Sequence, residues 1–358
     1  MDIETRMDLI RQVGEEIITE EELRNLLETK KSPITYDGFE PSGANIHIAQ
    51  GLLRAINVNK MTKAGCKFNI LVADWHAWAN NKMGGDLEKI QKVGKYLIEV
   101  WKACEMDTSK VNFLWASDFA KDTNYWKNVM QVARNSTVKR ILRCSQIMGR
   151  SENESLQASQ ILYPCMQCTD VFYQKCDLVQ LGMDQRKVNM LAREIGPKLG
   201  YWKPVVVSHH MLMGLGEPPK VGNAVEKAMA MKMSKSKPDT AIFMTDSEED
   251  IKRKIKKAYC AEGIVEENPI LEYCKFILFE KFETLKVERP EKFGGNAEFN
   301  SYKELEASFV KKDLHPMDLK QCVANYLNEL LEPIREKLEK NKTAQKLAKE
   351  IQSFEVTR

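Results

Sequence analysis

The sequence predicts an α/β fold with a parallel sheet, followed by a helical domain. Short apolar runs typical of strands alternate with helical stretches over roughly 200 residues that begin at Ile34. Beyond about Thr245 no strand-like run follows, and the spacing of apolar residues is helical. Strand–helix alternation is typical of parallel sheets with helices on both faces. We therefore expect two domains, at residues 1–240 and 241–358.

The individual elements follow from apolar spacing. The first thirty residues read as an amphipathic helix. Strands are expected at Ile34–Phe39, Cys66–Ala73, Val111–Trp115, Asp177–Leu181 and Val205–Ser208. Helices are expected at about Asp86–Cys104, Tyr125–Asn135, Ser155–Lys175, Asp184–Leu199, Asp246–Tyr259, Pro269–Lys281 and Pro316–Lys349, with a loop at Lys286–Asn300. Ligands of parallel sheets bind outside the carboxyl ends of the strands, so the residues after each strand are the first candidates for a site.

Composition excludes several classes of protein. The chain has 358 residues, of which 43% are apolar and 29% charged, so wholesale disorder is not expected. No apolar run reaches the roughly 18 residues of a membrane span, and charges occupy the start where a signal peptide is apolar. Nine cysteines are interpreted as reduced thiols, which favours a cytoplasmic protein. The 54 basic and 51 acidic residues leave nucleic-acid binding undecided.

The sharpest local motif is a basic loop with two lysines and two serines. It reads Lys232, Met233, Ser234, Lys235 and Ser236. Ammonium groups on flexible stems act as point charges against phosphate oxygens, and hydroxyls add hydrogen bonds. We interpret the segment as a mobile loop that closes on a polyphosphate; the alternative is a solvated basic loop.

A second motif is a glycine-bearing turn that leads into a helix. Gly43, His47 and Gln50 lie in the segment SGANIHIAQG, which follows the strand Ile34–Phe39. The N-terminus of a helix presents unpaired amides and the positive end of a dipole, which suits an anion. His47 and Gln50 could donate to phosphate oxygens there. The alternative is a structural histidine in an ordinary turn.

A third motif lies on a predicted helix. Tyr163, Gln167 and Asp170 are spaced i, i+4, i+7 and share one face. Gln185 follows the next strand, and Tyr36 belongs to the strand before the glycine-bearing turn. These polar groups suit a pocket for a small polar molecule, whereas the alternative is a capped core helix. Asp74, His76 and Trp78 follow another strand and either line the pocket or pack in the core.

Cys165 and Cys168 form a C-x-x-C pattern on the same helix. No second pair of cysteines or histidines at metal spacing accompanies them. We therefore interpret both thiols as small packing residues and expect no zinc. The pair His209 and His210 ends a strand without an acidic partner nearby in sequence, and is interpreted as structural.

Together these motifs resemble a known family. A His-Ile-x-x signature early in an α/β domain and a KMSKS loop near its end resemble the class I aminoacyl-tRNA synthetases. The segments YDGFEPSG, ADWHAW and MDQRK resemble tyrosyl-tRNA synthetases of the archaeal and eukaryotic cytoplasmic type. The chain departs from the family at Ala49 and Gln50, where Gly and His are usual. The resemblance implies a Rossmann-like catalytic domain and an all-α anticodon-binding domain.

The resemblance also implies roles for single residues. Tyr36 and Asp170 would bind the phenol of L-tyrosine, while Tyr163, Gln167 and Gln185 would bind its ammonium group. The residues implied at ATP are Gly43, His47, Gln50, Lys232, Met233, Ser234 and Lys235, of which His47, Gln50, Lys232 and Lys235 would be catalytic. The implied cofactors are ATP as substrate and Mg²⁺, with no zinc and no organic prosthetic group. The family acts as a homodimer, for which the helices Asp86–Cys104 and Tyr125–Asn135 could supply the surface.

The helical part resembles the anticodon-binding domain of the same family, through NPILEYCKF, RPEKFGG, NSYKELE and LHPMDLK. By that resemblance Phe293 would stack on a base of tRNA(Tyr), and His315 and Asp318 would read its edge. Arg143 and Arg186 would approach the acceptor end. The alternative is that Phe293 fills a loop core and Asp318 is only a helix charge.

Two alternative functions and the role of one basic segment are left open. Tryptophanyl-tRNA synthetase shares the implied architecture, and a catalytically inert RNA-binding paralogue could keep the fold. The basic run Lys252–Lys257 is interpreted as a solvated helix face, with RNA contact as the alternative.

Overall fold

Eight strands are present in the computed structural model, which describes residues 1–148, 155–220, 227, 230–235 and 237–354, without the side chains of Gln146 and Phe293. They are β1 (Gly14–Ile18), β2 (Ile34–Phe39), β3 (Lys67–Val72), β4 (Val111–Trp115), β5 (Leu178–Gly182), β6 (Val205–His209), β7 (Leu285–Val287) and β8 (Ala297–Phe299). The first six form one sheet in the order β1-β6-β5-β2-β3-β4, and the last two form a hairpin. The predicted α/β class is thereby confirmed.

Helices connect and follow the strands of the sheet. They are α1 (Ile3–Arg11), α2 (Glu20–Thr29), α3 (Arg54–Lys63), α4 (Asp74–Ala79), α5 (Leu87–Ala103), α6 (Ala116–Phe119), α7 (Thr123–Arg134), α8 (Val138–Leu142), α9 (Ala158–Tyr173), α10 (Arg186–Ile195), α11 (Glu248–Lys257), α12 (Pro269–Tyr273), α13 (Tyr302–Val310), α14 (Pro316–Lys340) and α15 (Lys342–Gln352). None of the described helices is long and apolar enough to cross a membrane.

The chain divides into two compact units. One consists of residues 1–44, 57–210 and those from 346 onward, and it contains the whole sheet. The other consists of residues 45–56 and 211–345. The segment with the HIAQ motif therefore belongs to the same unit as the basic loop and the helices after it. The functional boundary near residue 240 stays a prediction.

The sheet is parallel except at one edge. Pairing of β2 with β3 and β5, of β3 with β4 and of β5 with β6 is parallel. The edge strand β1 pairs antiparallel with β6. The prediction of one helix over the first thirty residues was wrong here, because the chain forms α1, β1 and α2 instead. Thr19 starts α2 directly after the strand, in a capping box with Glu22.

The long helices cover the sheet because their apolar residues recur at helical spacing. In α5, Asp86 caps the N-terminus, and Ile90, Val93, Leu97 and Trp101 are buried along one side. Gly94 allows this helix to approach closely, since a Cβ there would lie 2.8 Å from a methyl carbon of Val72. The carboxyl ends of the strands are thus held in fixed positions by packed helices.

Two predictions for the second unit were wrong in detail. The segment Lys286–Asn300, expected as a loop without strands, contains the β7–β8 hairpin. The predicted helix Pro316–Lys349 is two helices, because α14 ends at Lys340 and Asn341 caps the next helix through its side chain. Three-residue strands are too short to show a periodic pattern, and a polar break inside an amphipathic helix leaves the apolar spacing nearly unchanged.

Candidate active site

The side chain of Asp170 is the centre of a buried polar cluster in the first unit. It lies on α9 and is 1% exposed. Its Oδ1 accepts a hydrogen bond from the hydroxyl of Tyr125 at 2.8 Å, and its Oδ2 lies 2.9 Å from Nε2 of His76. A buried carboxylate is unfavourable unless it is paired and hydrogen-bonded. These two neighbours stabilise it, and its remaining lone pairs can accept a hydrogen bond from a ligand.

The protonation of His76 is set by this carboxylate. Burial by itself would lower the pKa of the imidazole. The charge of Asp170 and the hydrogen bond to it outweigh burial, with smaller effects from Glu40 and Asp74, so the pKa of His76 is raised above its ordinary value. The proton therefore stays on the imidazole to a higher pH than in a solvated histidine.

Tyr36 reaches the same cluster from β2. Its side chain is 1% exposed, and among the residues that the structure describes its hydroxyl has no hydrogen-bond partner. Burial first, and then the charge of Asp170, raise the pKa of Tyr36 well above its ordinary value, so the hydroxyl stays protonated. Buried polar groups nearly always have a partner in native proteins. The Tyr36 hydroxyl is therefore free to exchange a hydrogen bond with a group that enters the cluster.

A second carboxylate lies beside Tyr163, near the start of α9. Burial, together with the charge of Glu40 and a hydrogen bond to it, raises the pKa of Tyr163 well above its ordinary value. Glu40 directly follows β2, and its carboxylate accepts a hydrogen bond from Nδ2 of Asn80 at 2.9 Å. Lys82 contributes an ammonium group 3.7 Å away. A carboxylate next to a phenolic oxygen suits an ammonium group of a ligand.

Two amide side chains connect α9 to the end of β5. Gln167 donates from Nε2 to Oε1 of Gln185 at 3.0 Å. Gln185 lies in the short turn Met183–Gln185 and donates to the carbonyl of Ile147 at 3.1 Å. The five residues predicted for the amino-acid pocket thus come from β2, α9 and this turn, and the structure brings them together.

Sequence reasoning missed two residues of this cluster and left one undecided. Tyr125 lies on α7, where its helical spacing indicates only a core residue. Glu40 was accessible to prediction, because it directly follows a strand at the carboxyl edge of the sheet. His76, left open between pocket and core, contacts Asp170, and its ring meets that of Tyr163 edge-on with 5.1 Å between the centroids.

The HIAQ segment lies in the second unit, where it pairs with the chain that follows the basic loop. The amide of Ile48 donates to the carbonyl of Ile242 at 2.9 Å, and the amide of Met244 donates to the carbonyl of Ile46 at 2.8 Å. His47 and Phe243 therefore lie opposite each other in a short antiparallel bridge. Backbone hydrogen bonds thus join the HIAQ segment to residues 242–244, a few residues beyond the basic loop.

Glycines shape both sides of this segment. Gly43 has a φ of +132°, which favours glycine. The helix after His47 begins with the π-helical turn Ala49–Leu53, in which Gln50 is half-buried. A Cβ on Gly51 would lie only 2.5 Å from Sδ of Met244. The start of the helix can therefore lie against the paired segment only because residue 51 has no side chain.

His47 is held as a neutral imidazole. It is 9% exposed, and its Nδ1 has no hydrogen-bond partner among the described residues. Burial, and then the positive charges of Lys235, Arg54 and Lys232, lower the pKa of His47 well below its ordinary value. The ring is therefore uncharged at neutral pH, and both lysines of the basic loop are near enough to influence its pKa.

The basic loop is anchored at its start. The amide of Met233 donates to the carbonyl of Leu212 at 3.0 Å, and the amide of Gly214 donates to the carbonyl of Met231 at 2.7 Å. Met233 is 5% exposed, whereas Lys232, Ser234 and Lys235 are half-buried. Ser236, the last residue of the predicted motif, lies outside the described residues. The buried methionine fixes the backbone between two cationic side chains.

The predicted anticodon residues lie near the start of α14. Nδ1 of His315 accepts a hydrogen bond from the amide of Met317 at 3.1 Å, so this histidine caps the helix. Asp318 is half-buried in the first turn. Phe293 ends the short turn Glu291–Phe293, and its side chain lies outside the described part of the chain. The capping role of His315 was not predicted.

Arg289 connects the loop of Phe293 to the loop before α14. Its Nε donates to the carbonyl of Gly295, and its Nη1 donates to the carbonyl of Asp313, both at 2.5 Å. Phe293 lies within the first of these loops, and His315 is two residues beyond Asp313. One arginine therefore holds the two loops together, a role that was not predicted from the sequence.

A groove with a positive rim lies between α11 and α14. It has a volume of about 340 Å³ and is lined by Lys252, Arg253, Lys256, Met317, Lys320, Gln321 and Ala324. Cations on one side of a helix suit a phosphate backbone. The interpretation of the whole basic run as a solvated face was wrong for Lys254, which is 4% exposed and paired with Asp246.

The two arginines expected at the acceptor end of tRNA belong to the first unit. Both are exposed, Arg143 at the end of α8 and Arg186 at the start of α10. Nε of Arg186 lies 2.7 Å from Oε2 of Glu16. An exposed ion pair of this kind contributes little stability, so the guanidinium group can exchange its partner.

The C-x-x-C pattern lies inside the core. Cys165 and Cys168 are both buried on α9, and burial raises the pKa of the Cys165 thiol to about 12. Among the described residues no group of three or more His, Cys, Asp or Glu side chains could hold a metal ion. The two thiols pack among apolar neighbours in the cluster that surrounds Asp170.

Comparison with known proteins places the chain among its relatives. Residues 28–332 match the model of the class I tRNA synthetases specific for tryptophan and tyrosine. The chain is 51% identical over 360 residues to the cytoplasmic tyrosine–tRNA ligase 1 of Arabidopsis thaliana, covering 100% of this chain and 90% of that protein. It is 43% identical over 364 residues to the tyrosine–tRNA ligase of Saccharolobus islandicus, with both chains fully covered. A tyrosyl-tRNA synthetase structure from Pyrococcus horikoshii, complexed with L-tyrosine, is 40% identical with a TM-score of 0.90, covering 98% of this chain and 100% of that one.

Proposed function

The chain belongs to the class I tRNA synthetases of the tryptophan and tyrosine group, and we propose a role for each part of its site in tyrosine–tRNA ligation. Two steps make up the reaction. The tyrosine carboxylate attacks the α-phosphorus of ATP, the bond from this phosphorus to the bridging oxygen breaks, and pyrophosphate leaves. A terminal ribose hydroxyl of tRNA then attacks the adenylate carbonyl and AMP leaves. Neither step needs a covalent bond to the enzyme.

The observation that carries this proposal is the buried carboxylate of Asp170 beside the hydroxyl of Tyr36, which has no hydrogen-bond partner in the described part of the chain. A phenol hydroxyl placed between them would donate to the carboxylate and accept from Tyr36. Phenylalanine would leave the Tyr36 hydroxyl without a partner and would not fill the remaining acceptor position of Asp170, which is unfavourable. Tyrosine-specific synthetases are themselves a standard example of this discrimination. Tryptophan, the substrate of the alternative enzyme, has no hydroxyl to complete the pair.

The second cluster serves the other end of the amino acid. Glu40, Tyr163, Gln167 and Gln185 present oxygen atoms that can accept from an ammonium group. Glu40 adds a negative charge, which strengthens these hydrogen bonds. We assign it to this subsite together with the three residues that the sequence predicted. None of these residues is assigned to the carboxylate of tyrosine, which stays available to attack ATP.

We assign binding of the phosphate groups of ATP to the second unit. Lys232 and Lys235 are near enough to His47 to lower its pKa, so three donors act in one region. Preorganised donors stabilise the charge that develops on phosphate oxygens in the transition state. Gln50 can donate as well but carries no charge. Mg²⁺ enters with ATP as part of the substrate, held by phosphate oxygens and water.

We assign recognition of tRNA to a small number of side chains. Asp318, in the first turn of α14, can accept from the N–H groups of an unpaired guanine, and His315 stands at the same helix start. The groove beside Lys252 and Lys256 offers cations for the phosphate backbone. Arg143 and Arg186 are assigned to the acceptor end.

We also propose a cytoplasmic homodimer. Met130 on α7 and Val138 on α8 are large apolar side chains that are 59% and 64% exposed. The helix α5, which the structure describes in full, exposes no large apolar side chain. The surface of α7 and α8 is therefore assigned to the dimer in preference to α5.

Amino-acid-dependent exchange of pyrophosphate into ATP tests the function. The protein is expected to catalyse exchange with tyrosine, and only weakly with tryptophan or phenylalanine. Charging of tRNA(Tyr) should follow under the same conditions. Exchange driven by tryptophan would favour the alternative synthetase, and absence of exchange with all three amino acids in a folded protein would favour the inert paralogue.

A further inference from the structure

Lys254 is a buried cation outside the groups that contact substrate. It lies on α11 and is 4% exposed. Its Nζ donates to Oδ2 of Asp246 at 2.6 Å and to the carbonyl of Ala241 at 2.9 Å, and lies 4.6 Å from the centre of the Phe243 ring. Lysine is almost never buried unless it is paired, and all three contacts are made to one short segment of chain. The Lys254 side chain therefore holds residues 241–246 in place, and its contacts are not spread over a wider surface.

Asp246 completes this fixation. The Oδ2 atom that pairs with Lys254 also accepts a hydrogen bond from the amide of Phe243 at 2.9 Å. The backbone carbonyl of Asp246 accepts from Nη1 of Arg335 at 2.9 Å. Both ends of the segment are thus held by charged side chains on α11 and α14. Charge-assisted hydrogen bonds of this kind are short and directional, so they define position well.

The fixed segment is the one that aligns His47. Ile242 and Met244 make the two backbone hydrogen bonds to the HIAQ segment, and Phe243 lies opposite His47. The same segment follows the basic loop. A further contact joins α11 to the chain between the loop and this segment, because Nη1 of Arg253 donates to Oδ1 of Asp239 at 2.9 Å. A displacement of residues 241–246 would move His47 relative to Lys232 and Lys235.

We propose that Lys254, through its pair with Asp246, is a positioning residue for the phosphate site. It holds residues 241–246, which set the position of His47 and of the end of the basic loop, and it does not contact substrate itself. The proposal rests on the proposed function. Small displacements of donors at a reacting phosphate have large effects on rate, because the donors must be in place before charge develops.

The test is steady-state kinetics of tyrosine-dependent exchange with Lys254→Met. We expect kcat/KM for ATP to fall about 10–100-fold, as for a misplaced catalytic group, while the Kd for tyrosine measured without ATP stays within about twofold. Lys340→Met is the matched control. It removes a cation from the same unit that is 77% exposed and pairs with Glu336 at 2.8 Å, and exchange should be unchanged.

A second variant keeps the test decisive if the single substitution unfolds the protein. Lys254→Met combined with Asp246→Asn removes both charges and leaves no buried charge uncompensated. This double variant should fold, by circular dichroism and melting, and should show the same loss for ATP. Unchanged kcat/KM for ATP in either folded variant, or an equal loss of tyrosine affinity, would overturn the proposal.

A double-mutant cycle identifies the route of the effect. If Lys254 acts through His47, Lys254→Met should reduce exchange much less in a His47→Ala background than in the unsubstituted protein. Additive losses would overturn the proposal and assign Lys254 a general role in stability. Exchange by the unsubstituted protein tests the proposed function independently. If that exchange is absent, the proposed function fails; if it is present but insensitive to Lys254→Met, only this inference fails.

Discussion

The carboxylate of Asp170 and the imidazole of His76 lie 2.9 Å apart, and both side chains are almost completely buried. Burial alone would lower the pKa of the imidazole, but the charge of Asp170 and the hydrogen bond to it outweigh burial and raise that pKa above its ordinary value. Tyr125 holds the second oxygen of the same carboxylate. We propose that this arrangement, beside the hydroxyl of Tyr36, selects a ligand with a hydroxyl.

Asp170→Asn is expected to remove most of the preference for tyrosine over phenylalanine. The amide has nearly the same shape but no charge, and a hydrogen bond to a charged group contributes about 1.5–3 kcal/mol. We therefore expect kcat/KM for tyrosine in the exchange reaction to fall by roughly 10–100-fold. The value for phenylalanine should change little. An unchanged ratio of the two would remove Asp170 from the pocket.

The matched control for this substitution is Asp122→Asn. Asp122 also accepts a hydrogen bond from a tyrosine, from the hydroxyl of Tyr173 at 2.7 Å, and it caps α7. Asparagine is an equally good helix cap. The preference for tyrosine over phenylalanine should be preserved in this variant. The control therefore distinguishes a general effect of losing an Asp–Tyr hydrogen bond from the specific effect of losing the charge of Asp170.

The stability of the protein should depend on pH through His76. Its pKa in the folded protein is raised above the ordinary value of 6.5. The protonated imidazole therefore contributes stability that is fully present below pH 6.5 and is lost as the pH rises through the folded-state pKa. The difference in unfolding free energy between the unsubstituted protein and His76→Gln, measured by urea denaturation, should shrink with rising pH above 6.5. A difference that grows over this range would contradict the ion pair.

Lys235→Ala should disable adenylate formation and leave tyrosine binding nearly intact. Removal of one preorganised donor to a transition-state charge typically lowers kcat by about 10²–10³-fold. The measurement is exchange kinetics together with equilibrium binding of tyrosine. Lys237→Ala serves as the control, because this exposed lysine lies two residues further along the same loop. Parallel loss of both properties in Lys235→Ala would exclude a specific role at phosphate.

Asp318→Ala should weaken charging of tRNA while sparing the exchange reaction, which does not involve tRNA. The substitution also removes an acid from a helix start, an interaction worth about 0.3–1 kcal/mol. Glu304→Ala removes a first-turn acid from α13 in the same unit and controls for this effect. If exchange fell as far as charging in Asp318→Ala, the anticodon assignment would be wrong.

Lys256→Ala tests the groove between α11 and α14. Each phosphate contact contributes to the salt dependence of binding, so the slope of log K against log salt should fall by about one. Affinity should decrease for tRNA(Tyr) and for unrelated tRNA alike, since phosphate carries no sequence information. Filter binding over a range of salt concentrations measures both. An unchanged slope would place the RNA elsewhere.

The sequence predicted the parallel part of the sheet well, because its strands are nearly continuous apolar runs. Ile34–Phe39 and Val111–Trp115 were predicted with the bounds that the structure has. Gly14–Ile18 was not, since its two glutamates and its apolar residues also fit an amphipathic helix. Its identity as a strand depends on β6, which lies far away in sequence and supplies the hydrogen bonds.

Candidate site residues could be predicted where polar side chains follow a strand or recur along one face of a helix. Tyr163, Gln167 and Asp170 were predicted in this way, and all three lie on α9. Tyr125 was not, because nothing on α7 indicates that its hydroxyl meets a carboxylate on another helix. The burial of Lys254 was equally hidden, since in the sequence it is one of several neighbouring basic residues. Both depend on packing between elements, which local patterns do not contain.

The pairing of residues 46–48 with 242–244 has a consequence for protein synthesis. At elongation rates of about 5–20 residues per second, the ribosome adds Met244 roughly 10–40 seconds after His47. Throughout that interval the HIAQ segment lacks its pairing partner. A nascent chain released before this point would therefore have nothing to hold His47 in the position that it has in the finished protein.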